Sequence, residues 1–83
     1  MALTILRRKQ VEFETGYSRS TIYLRITQGL WTKPVNLGAR AVGWPASEVT
    51  ALNAARIAGR SEDQIRELVS GLEKARLNVG DSR

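Results

Sequence analysis

Residues 15–23 read Thr15-Gly16-Tyr17-Ser18-Arg19-Ser20-Thr21-Ile22-Tyr23, a polar, glycine-centred turn followed directly by the start of a helix. Ser18 is a good N-cap because its hydroxyl can accept a hydrogen bond from the unpaired N–H groups that open a helix. Gly16 supplies the backbone freedom that a tight turn between two helices requires. With the amphipathic segment before it, the stretch predicts either a helix-turn-helix, whose second helix enters the DNA major groove, or an ordinary helical hairpin.

The spacing of apolar residues predicts a helix on each side of this turn. The first helix covers residues 8–15 and turns Val11 towards the core, supported by either Leu6 or Phe13. The second helix covers about residues 19–28 and ends at a glycine. Its inward residues, four positions apart, are Ile22 and Ile26.

A β-hairpin is predicted over residues 30–44, where the apolar residues suit strands better than a helix. Pro34 is incompatible with a helix interior and indicates that the first strand lies at a sheet edge. The tip of the hairpin falls near residues 38–40. Residues 3–6 predict a short extended segment that packs on the core. The two residues that flank the hairpin, and that we expect in the core rather than stacked on bases, are Trp31 and Trp44.

Two further helices are predicted after the hairpin. Pro45 fits the first turn of the third helix, Glu48 favours the positive end of its dipole, and Gly59 ends it. The stretch Ser61-Glu62-Asp63-Gln64 matches a capping box that opens the fourth helix. The apolar stripe of that helix consists of Ile65, Leu68, Val69 and Leu72.

In order, these elements predict a mainly α-helical fold with a small β-hairpin. The arrangement is a winged helix-turn-helix, with the hairpin as the wing, followed by a C-terminal helix. The winged domain is expected over residues 1–60. Residues 61–77 form an amphipathic helix that either packs on this domain or pairs two copies of it. A flexible tail is expected over residues 78–83.

The composition excludes several classes of protein. The 83 residues contain no cysteine and no histidine, which excludes disulfide frameworks, thiolate metal sites and the commonest general base. Paired carboxylates and a Gly-rich phosphate loop are also missing, so we expect neither an enzyme nor a cofactor. No apolar run reaches the roughly 20 residues that span a bilayer, and the first cations follow the N-terminal apolar stretch. We therefore expect an intracellular protein without membrane contact.

The distribution of charge points to an anionic partner. The formal net charge is +5, and residues 1–60 contain nine basic side chains against three acidic ones. Residues 61–83 contain four basic and five acidic side chains, so the positive excess lies with the predicted helix-turn-helix. A polyanion that docks on this region would release its condensed counterions, which favours binding.

Three segments together resemble one family. They are Ser18-Arg19-Ser20-Thr21-Ile22-Tyr23 followed by Gly29, Lys33-Pro34-Val35-Asn36-Leu37-Gly38-Ala39-Arg40-Ala41-Val42-Gly43-Trp44, and Ser47-Glu48-Val49. With these segments, residues 4 to about 58 resemble the AlpA family of phage regulators. Members are small winged-helix proteins similar to the DNA-binding domain of MerR-type regulators and to phage excisionases. The resemblance implies a prophage or integrated-element protein that binds specific DNA as a transcriptional regulator, an excisionase-type recombination directionality factor, or both.

The resemblance also implies which residues contact double-stranded DNA. The start of the second helix faces the major groove and Tyr23 faces a phosphate, while the wing makes a second contact. In the middle of the helix, either Leu24 or Arg25 faces the DNA. The candidate contacts are Arg19, Ser20, Thr21, Tyr23 and Arg25 on the helix and Lys33, Asn36 and Arg40 in the wing. The resemblance further implies an integrase as a partner and a place in the bacterial cytoplasm, in association with the nucleoid. Because a single winged module covers little DNA, we also expect additional copies of the chain on repeated sites.

A protein-interaction module, such as an antitoxin-like protein or a phage adaptor, is the alternative function. Such a module would work through the C-terminal helix, where Ile65 and Leu72 lie seven residues apart and allow a short coiled-coil seam. The basic charge of the first sixty residues would then be incidental. A gel-shift against the DNA that flanks the chain's own gene distinguishes the two functions.

Overall fold

The computed structural model describes residues 4–78, which form four α-helices and a three-stranded antiparallel sheet. This mainly helical architecture with a small sheet confirms the predicted winged-helix class. No helix in this range is both long enough and apolar enough to cross a bilayer. The elements are β1 (Ile5–Arg7), α1 (Arg8–Thr15), α2 (Arg19–Thr27), β2 (Val35–Gly38), β3 (Ala41–Pro45), α3 (Ala46–Ile57), α4 (Glu62–Ala75) and a short 3-10 helix (Arg76–Asn78).

Two of the segments predicted above extend beyond this range. Residue 3 of the predicted N-terminal extended segment lies outside the described residues. The same holds for residues 79–83 of the predicted tail, whose first residue, Asn78, ends the 3-10 helix.

The turn between α1 and α2 has the predicted form. Gly16 follows α1 with a φ of 77°, in the left-handed region that glycine adopts without steric cost. Ser18 caps α2, because its hydroxyl accepts a hydrogen bond from the N–H of Thr21 at 3.2 Å. One turn later, Ile22 is fully buried and fixes the inward side of α2. The glycine turn and the N-cap are therefore both confirmed.

The sheet contains one strand more than the predicted hairpin. β1 pairs antiparallel with β3, which gives the order β1-β3-β2, so the N-terminal segment is a strand and not merely an extended lead-in. Gly43 makes this pairing possible, because a Cβ at that position would lie 2.5 Å from Cγ2 of Ile5 and 2.9 Å from the carbonyl oxygen of Leu6. β2 begins directly after Pro34 and lies at the sheet edge, as the proline predicts.

The start of α3 differs by one position from the prediction. Pro45 is the last residue of β3 and the N-cap of α3, not a residue of its first turn. The reason is the third strand, because Pro45 lies opposite Ile5 in the β1–β3 ladder. The N–H of Ala46 donates to the carbonyl of Thr4 at 2.8 Å, so β1 also supports the first turn of α3.

The core is built around two tryptophans. Trp31 precedes the wing and Trp44 lies in β3, and both are fully buried, as predicted. The indole N–H of Trp44 donates to the carbonyl of Thr32 at 2.8 Å and so closes the base of the wing. On the α1 side, Leu6 packs against the core cluster while Phe13 is 86% exposed, which decides between the two supports predicted for Val11. The core cluster consists of Val11, Ile22, Trp31, Trp44, Val49, Leu52 and Val69.

α4 packs on the same core. Val69 is buried within the cluster. Ser61 caps α4 by accepting from the N–H of Gln64 at 3.2 Å, and the amide oxygen of Gln64 accepts in return from the N–H of Ser61 at 2.9 Å, which is the predicted capping box. The other apolar residues of α4 that pack against the cluster are Ile65, Leu68 and Leu72.

Candidate nucleic-acid interface

The solvent-facing side of α2 lies opposite its buried residues. Ile22 and Ile26 pack in or against the core, and successive residues rotate by about 100° around a helix. Ser20 and Leu24 therefore fall on the outer side, and Arg19 stands exposed in the first turn. We call the exposed residues of this helix the recognition face. They are Arg19, Ser20, Tyr23, Leu24 and Thr27.

The hydroxyl groups of Ser20 and Thr21, at the start of α2, have different structural roles. Ser20 is exposed on the recognition face. Thr21 is partly buried, and its hydroxyl oxygen lies 2.9 Å from that of Ser18, within hydrogen-bond distance. Thr21 thus takes part in the N-cap through both its backbone N–H and its side chain. Of the two predicted hydroxyl contacts, Ser20 is the more accessible to an external ligand.

Tyr23 connects the recognition face to the wing. Its ring packs edge-on against Trp44 of β3, with ring centroids 6.4 Å apart and an interplanar angle of 64°. The residue remains 38% exposed. A tyrosine in this position can pack its ring against the protein and still present its hydroxyl to a phosphate.

The structure distinguishes the two residues in the middle of α2. Leu24 is 51% exposed and lies near the centre of the recognition face. Arg25 is partly buried at the side of the helix, where it donates to the amide oxygen of Gln28 at 2.9 Å. Its guanidinium also lies 5.9 Å from the ring centroid of Tyr17. Arg25 therefore packs along the turn side of α2, and Leu24 occupies the outward position.

The wing presents one cation at its tip. Arg40 is exposed in the two-residue turn between β2 and β3. Asn36 is also exposed, but its amide oxygen accepts from the N–H of Gly38 at 3.0 Å, beside the irregular pairing that bends β2. Asn36 therefore shapes the turn that carries Arg40, in addition to any contact it makes with a ligand.

Two further cations lie at the base of the wing. Lys33 is exposed two residues before β2. Both of its backbone polar groups are bound by side chains of α4 and the 3-10 helix, which together we call the C-terminal segment. Arg7 is exposed in β1, and its Nε donates to the carbonyl of Val42 in β3 at 3.1 Å. Arg7 is not among the candidate DNA contacts predicted from the sequence. Its place beside the wing depends on the β1–β3 pairing, which leaves no local signal in the sequence.

The charges around this surface are unbalanced. Residues 15–47 contain four cations and no acidic residue. The ion pairs found among residues 4–78 involve Arg8, Arg66 and Arg76, which are neutralised by carboxylates of the protein itself. None of those pairs includes a cation of α2, of the segment between α2 and β2 or of the wing tip, so these charges remain available to an anion. The four cations are Arg19, Arg25, Lys33 and Arg40.

Comparison with known proteins agrees with this geometry. The family model described as "Prophage CP4-57 regulatory protein (AlpA)" matches residues 4–57, which span the chain from just before β1 to the end of α3 and exclude α4. The uncharacterized protein ORF88 of Enterobacteria phage P4 is 51% identical over 55 residues, which are 66% of this chain but only 62% of that relative. No solved structure matches the chain. The helix-turn-helix and the wing therefore lie within the matched residues, and the chain belongs to the AlpA family of prophage regulatory proteins.

Proposed function

We propose that this chain binds specific sites on double-stranded DNA and controls a prophage or another integrated element. One observation carries the proposal: an exposed helix face with Arg19 in its first turn stands beside a wing with Arg40 at its tip, and residues 15–47, which contain both, include no acidic residue. A helix of this kind enters the major groove, and a wing cation reaches the adjacent backbone or minor groove.

Residues of the recognition face and the wing contribute separately to the specificity and to the affinity of DNA binding. Arg19 can donate two parallel hydrogen bonds to a guanine, and Ser20 can donate to or accept from a base edge. Leu24 offers an apolar surface that suits the methyl group of thymine. Tyr23, Lys33 and Arg40 hold the phosphate backbone in register and contribute affinity that depends on salt.

Two regulatory roles fit such a protein. It acts on promoters, such as that of an integrase, or it binds next to an attachment site and directs recombination together with an integrase. A single winged module covers only roughly 600–1,000 Å² of its own surface on DNA, so tight binding requires adjacent copies on repeated sites. A gel-shift with the DNA flanking the chain's own gene, divided into promoter and attachment-site fragments, tests the proposal. Equal affinity for these fragments and for unrelated DNA would contradict it.

The alternative function, a protein-interaction module, has less support. It requires the apolar stripe of α4 to face a partner. Val69, at the centre of that stripe, is buried, and its neighbours on the stripe pack against the core of the same domain. The residues that would form the partner surface are thus already used, which favours DNA binding.

Arg19→Ala should reduce affinity for the preferred site by about 1–3 kcal/mol and relax the preference at one or two base pairs. The reason is the loss of a base contact at the start of α2, where the side chain is exposed and outside the ion pairs of the described chain. Arg60→Ala is the matched control, because it removes the same charge from the exposed α3–α4 loop. Competition binding with a randomised site measures both variants. Equal binding by Arg19→Ala and the parent across salt concentrations would contradict the assignment of α2.

Arg40→Ala should weaken binding to matched and mismatched sites by the same factor. The logarithm of the binding constant decreases as the logarithm of the salt concentration increases. If the side chain neutralises one phosphate, its removal should make this negative slope shallower by about 1. Affinities measured at four or more salt concentrations give this slope, with Arg60→Ala again as the control for net charge. A loss confined to sites with A·T-rich flanks would indicate minor-groove recognition instead. An unchanged slope with an unchanged footprint would place the wing away from DNA.

A further inference from the structure

The C-terminal segment binds the backbone that connects α2 to the wing. This linker comprises residues 28–34, between the end of α2 and the start of β2. Arg66 Nε donates to the carbonyl of Gln28 at 2.9 Å. Glu73 Oε2 accepts from the N–H of Lys33 at 2.8 Å, and Arg76 Nη2 donates to the carbonyl of Lys33 at 2.7 Å. Three side chains from the C-terminal segment thus hold the linker at both of its ends.

Arg76 also binds α3, the helix that follows the wing. Its Nε and Nη2 donate to the two carboxylate oxygens of Glu48 at 2.8 and 2.6 Å, a forked arrangement that fixes the planes of both groups. The Glu48 side chain is only 5% exposed. The hydrogen bonds to Glu48 raise the pKa of Arg76, so this side chain stays charged. Because Lys33 precedes β2 and Glu48 follows β3, a single guanidinium joins the two ends of the wing.

We propose that Arg76 is a positioning residue for DNA binding, which holds the wing at the spacing from α2 that the DNA site requires. This inference rests on the proposed function. Arg76 acts through the backbone of Lys33 and through Glu48, and its Nε and Nη2 are used within the protein. It lies outside residues 4–57, so the positioning device is supplied by the part of the chain that follows the matched family domain.

The physical basis is preorganisation. DNA must be contacted by the recognition face and the wing at the same time, and only conformers with the correct spacing can make both contacts. If other spacings become populated, the apparent Kd rises in inverse proportion to the competent fraction. Ordering the linker during binding would then cost free energy that the parent does not spend.

The first test compares Arg76→Gln with Lys74→Gln. Both variants lose one positive charge near the end of α4, but Lys74 is exposed and takes no part in the contacts to the linker. Arg76→Gln should raise the Kd for the preferred site about fivefold to tenfold and leave binding to unrelated DNA nearly unchanged. Lys74→Gln should change both affinities by the same small factor. The readout is the specificity ratio, the Kd for unrelated DNA divided by the Kd for the preferred site. Partial unfolding would weaken binding to every DNA equally and leave this ratio unchanged.

A second pair of variants keeps the test valid if the buried Glu48 carboxylate prevents Arg76→Gln from folding. Glu73→Ala and Glu73→Gln both remove a negative charge, but only the glutamine retains an oxygen that can accept from the N–H of Lys33. Glu73→Ala should lower the ratio of specific to unrelated binding, and Glu73→Gln should preserve it. Amide hydrogen exchange at Lys33 in the free protein should accelerate in Glu73→Ala and Arg76→Gln alone.

The outcomes separate the two proposals. In one outcome, the parent protein prefers its site while Arg76→Gln and Glu73→Ala keep the same ratio of specific to unrelated binding. That result would overturn the positioning role and leave the proposed function intact. A parent without preference for any DNA would overturn the proposed function, whatever hydrogen exchange at Lys33 shows. Reduced ratios confined to Arg76→Gln and Glu73→Ala, with faster exchange at Lys33, would support the positioning role.

Discussion

Truncation after Gly59 is expected to leave a chain that no longer unfolds cooperatively. The truncation removes Val69 from the core and also Ile65, Leu68 and Leu72 that pack against it. A fully buried side chain such as Val69 stabilises a fold by about 1.5–3 kcal/mol, and each of the three partly buried ones contributes less. It also leaves the buried carboxylate of Glu48 without Arg76, which costs about 3–5 kcal/mol in comparable cases. Together these losses are of the same order as the roughly 5–15 kcal/mol that stabilises a small domain.

Thermal unfolding followed by circular dichroism measures this effect. A chain that ends at Asn78 is the control, because it retains every contact described above, and it should melt as the parent does. A truncated chain that keeps a sharp transition but loses cooperative binding to repeated sites would show instead that α4 pairs copies on DNA. A truncated chain that keeps both properties would contradict both roles of α4.

Trp44→Ala is expected to destabilise the fold by about 3–5 kcal/mol, as large-to-small substitutions of buried aromatic residues do. Trp44 is fully buried at the junction of the sheet and α2. Its removal opens a cavity and leaves the carbonyl of Thr32 without its indole donor. The edge contact to Tyr23 is lost as well, so the wing is no longer packed against the recognition face. Urea unfolding gives the free energy, and a gel-shift in the folded range gives the effect on binding.

Trp44→Phe separates the ring from the hydrogen bond. Phenylalanine retains an aromatic ring in the core and lacks the N–H, so the hydrogen bond to Thr32 is lost while most of the packing remains. An unpaired buried carbonyl costs about 1–3 kcal/mol, and we expect a loss within that range. A cost for Trp44→Ala that does not exceed that of Trp44→Phe would mean that the hydrogen bond, and not packing, dominates at this position.

The helix-turn-helix is determined by local sequence. A left-handed glycine at position 16, a serine cap at position 18 and a buried isoleucine at position 22 act within one or two turns of one another, and each has the predicted role. The edge position of β2 follows in the same way from Pro34. The place of Arg40 in the wing turn is local too, because a glycine and a two-residue turn set the hairpin. Caps, turns and glycine positions act over a few residues, so they can be predicted from a single sequence.

The third strand could not be predicted by the same means. β1 and β3 are separated by more than thirty residues, and their pairing depends on the close approach of Ile5 to the side-chain-free Gly43. This pairing moves Arg7 to the wing and turns Pro45 from a helix residue into a strand residue. A glycine between two apolar residues can serve several structural purposes, and the sequence does not show which. At Gly43 the purpose becomes clear only when Ile5 is seen packed against it across the sheet.

What the sequence by itself determined is the four helices and the hairpin, their order and the amphipathic stripe of α4. Only the tertiary structure decided that this stripe packs on its own domain, and that Arg76 meets both Glu48 and the backbone of Lys33. The physical reason is range: caps, turns and periodicity act over a few residues along the chain. Ion pairs and linker contacts between residues about thirty to forty positions apart exist only after the helices have packed and brought the side chains within hydrogen-bond distance.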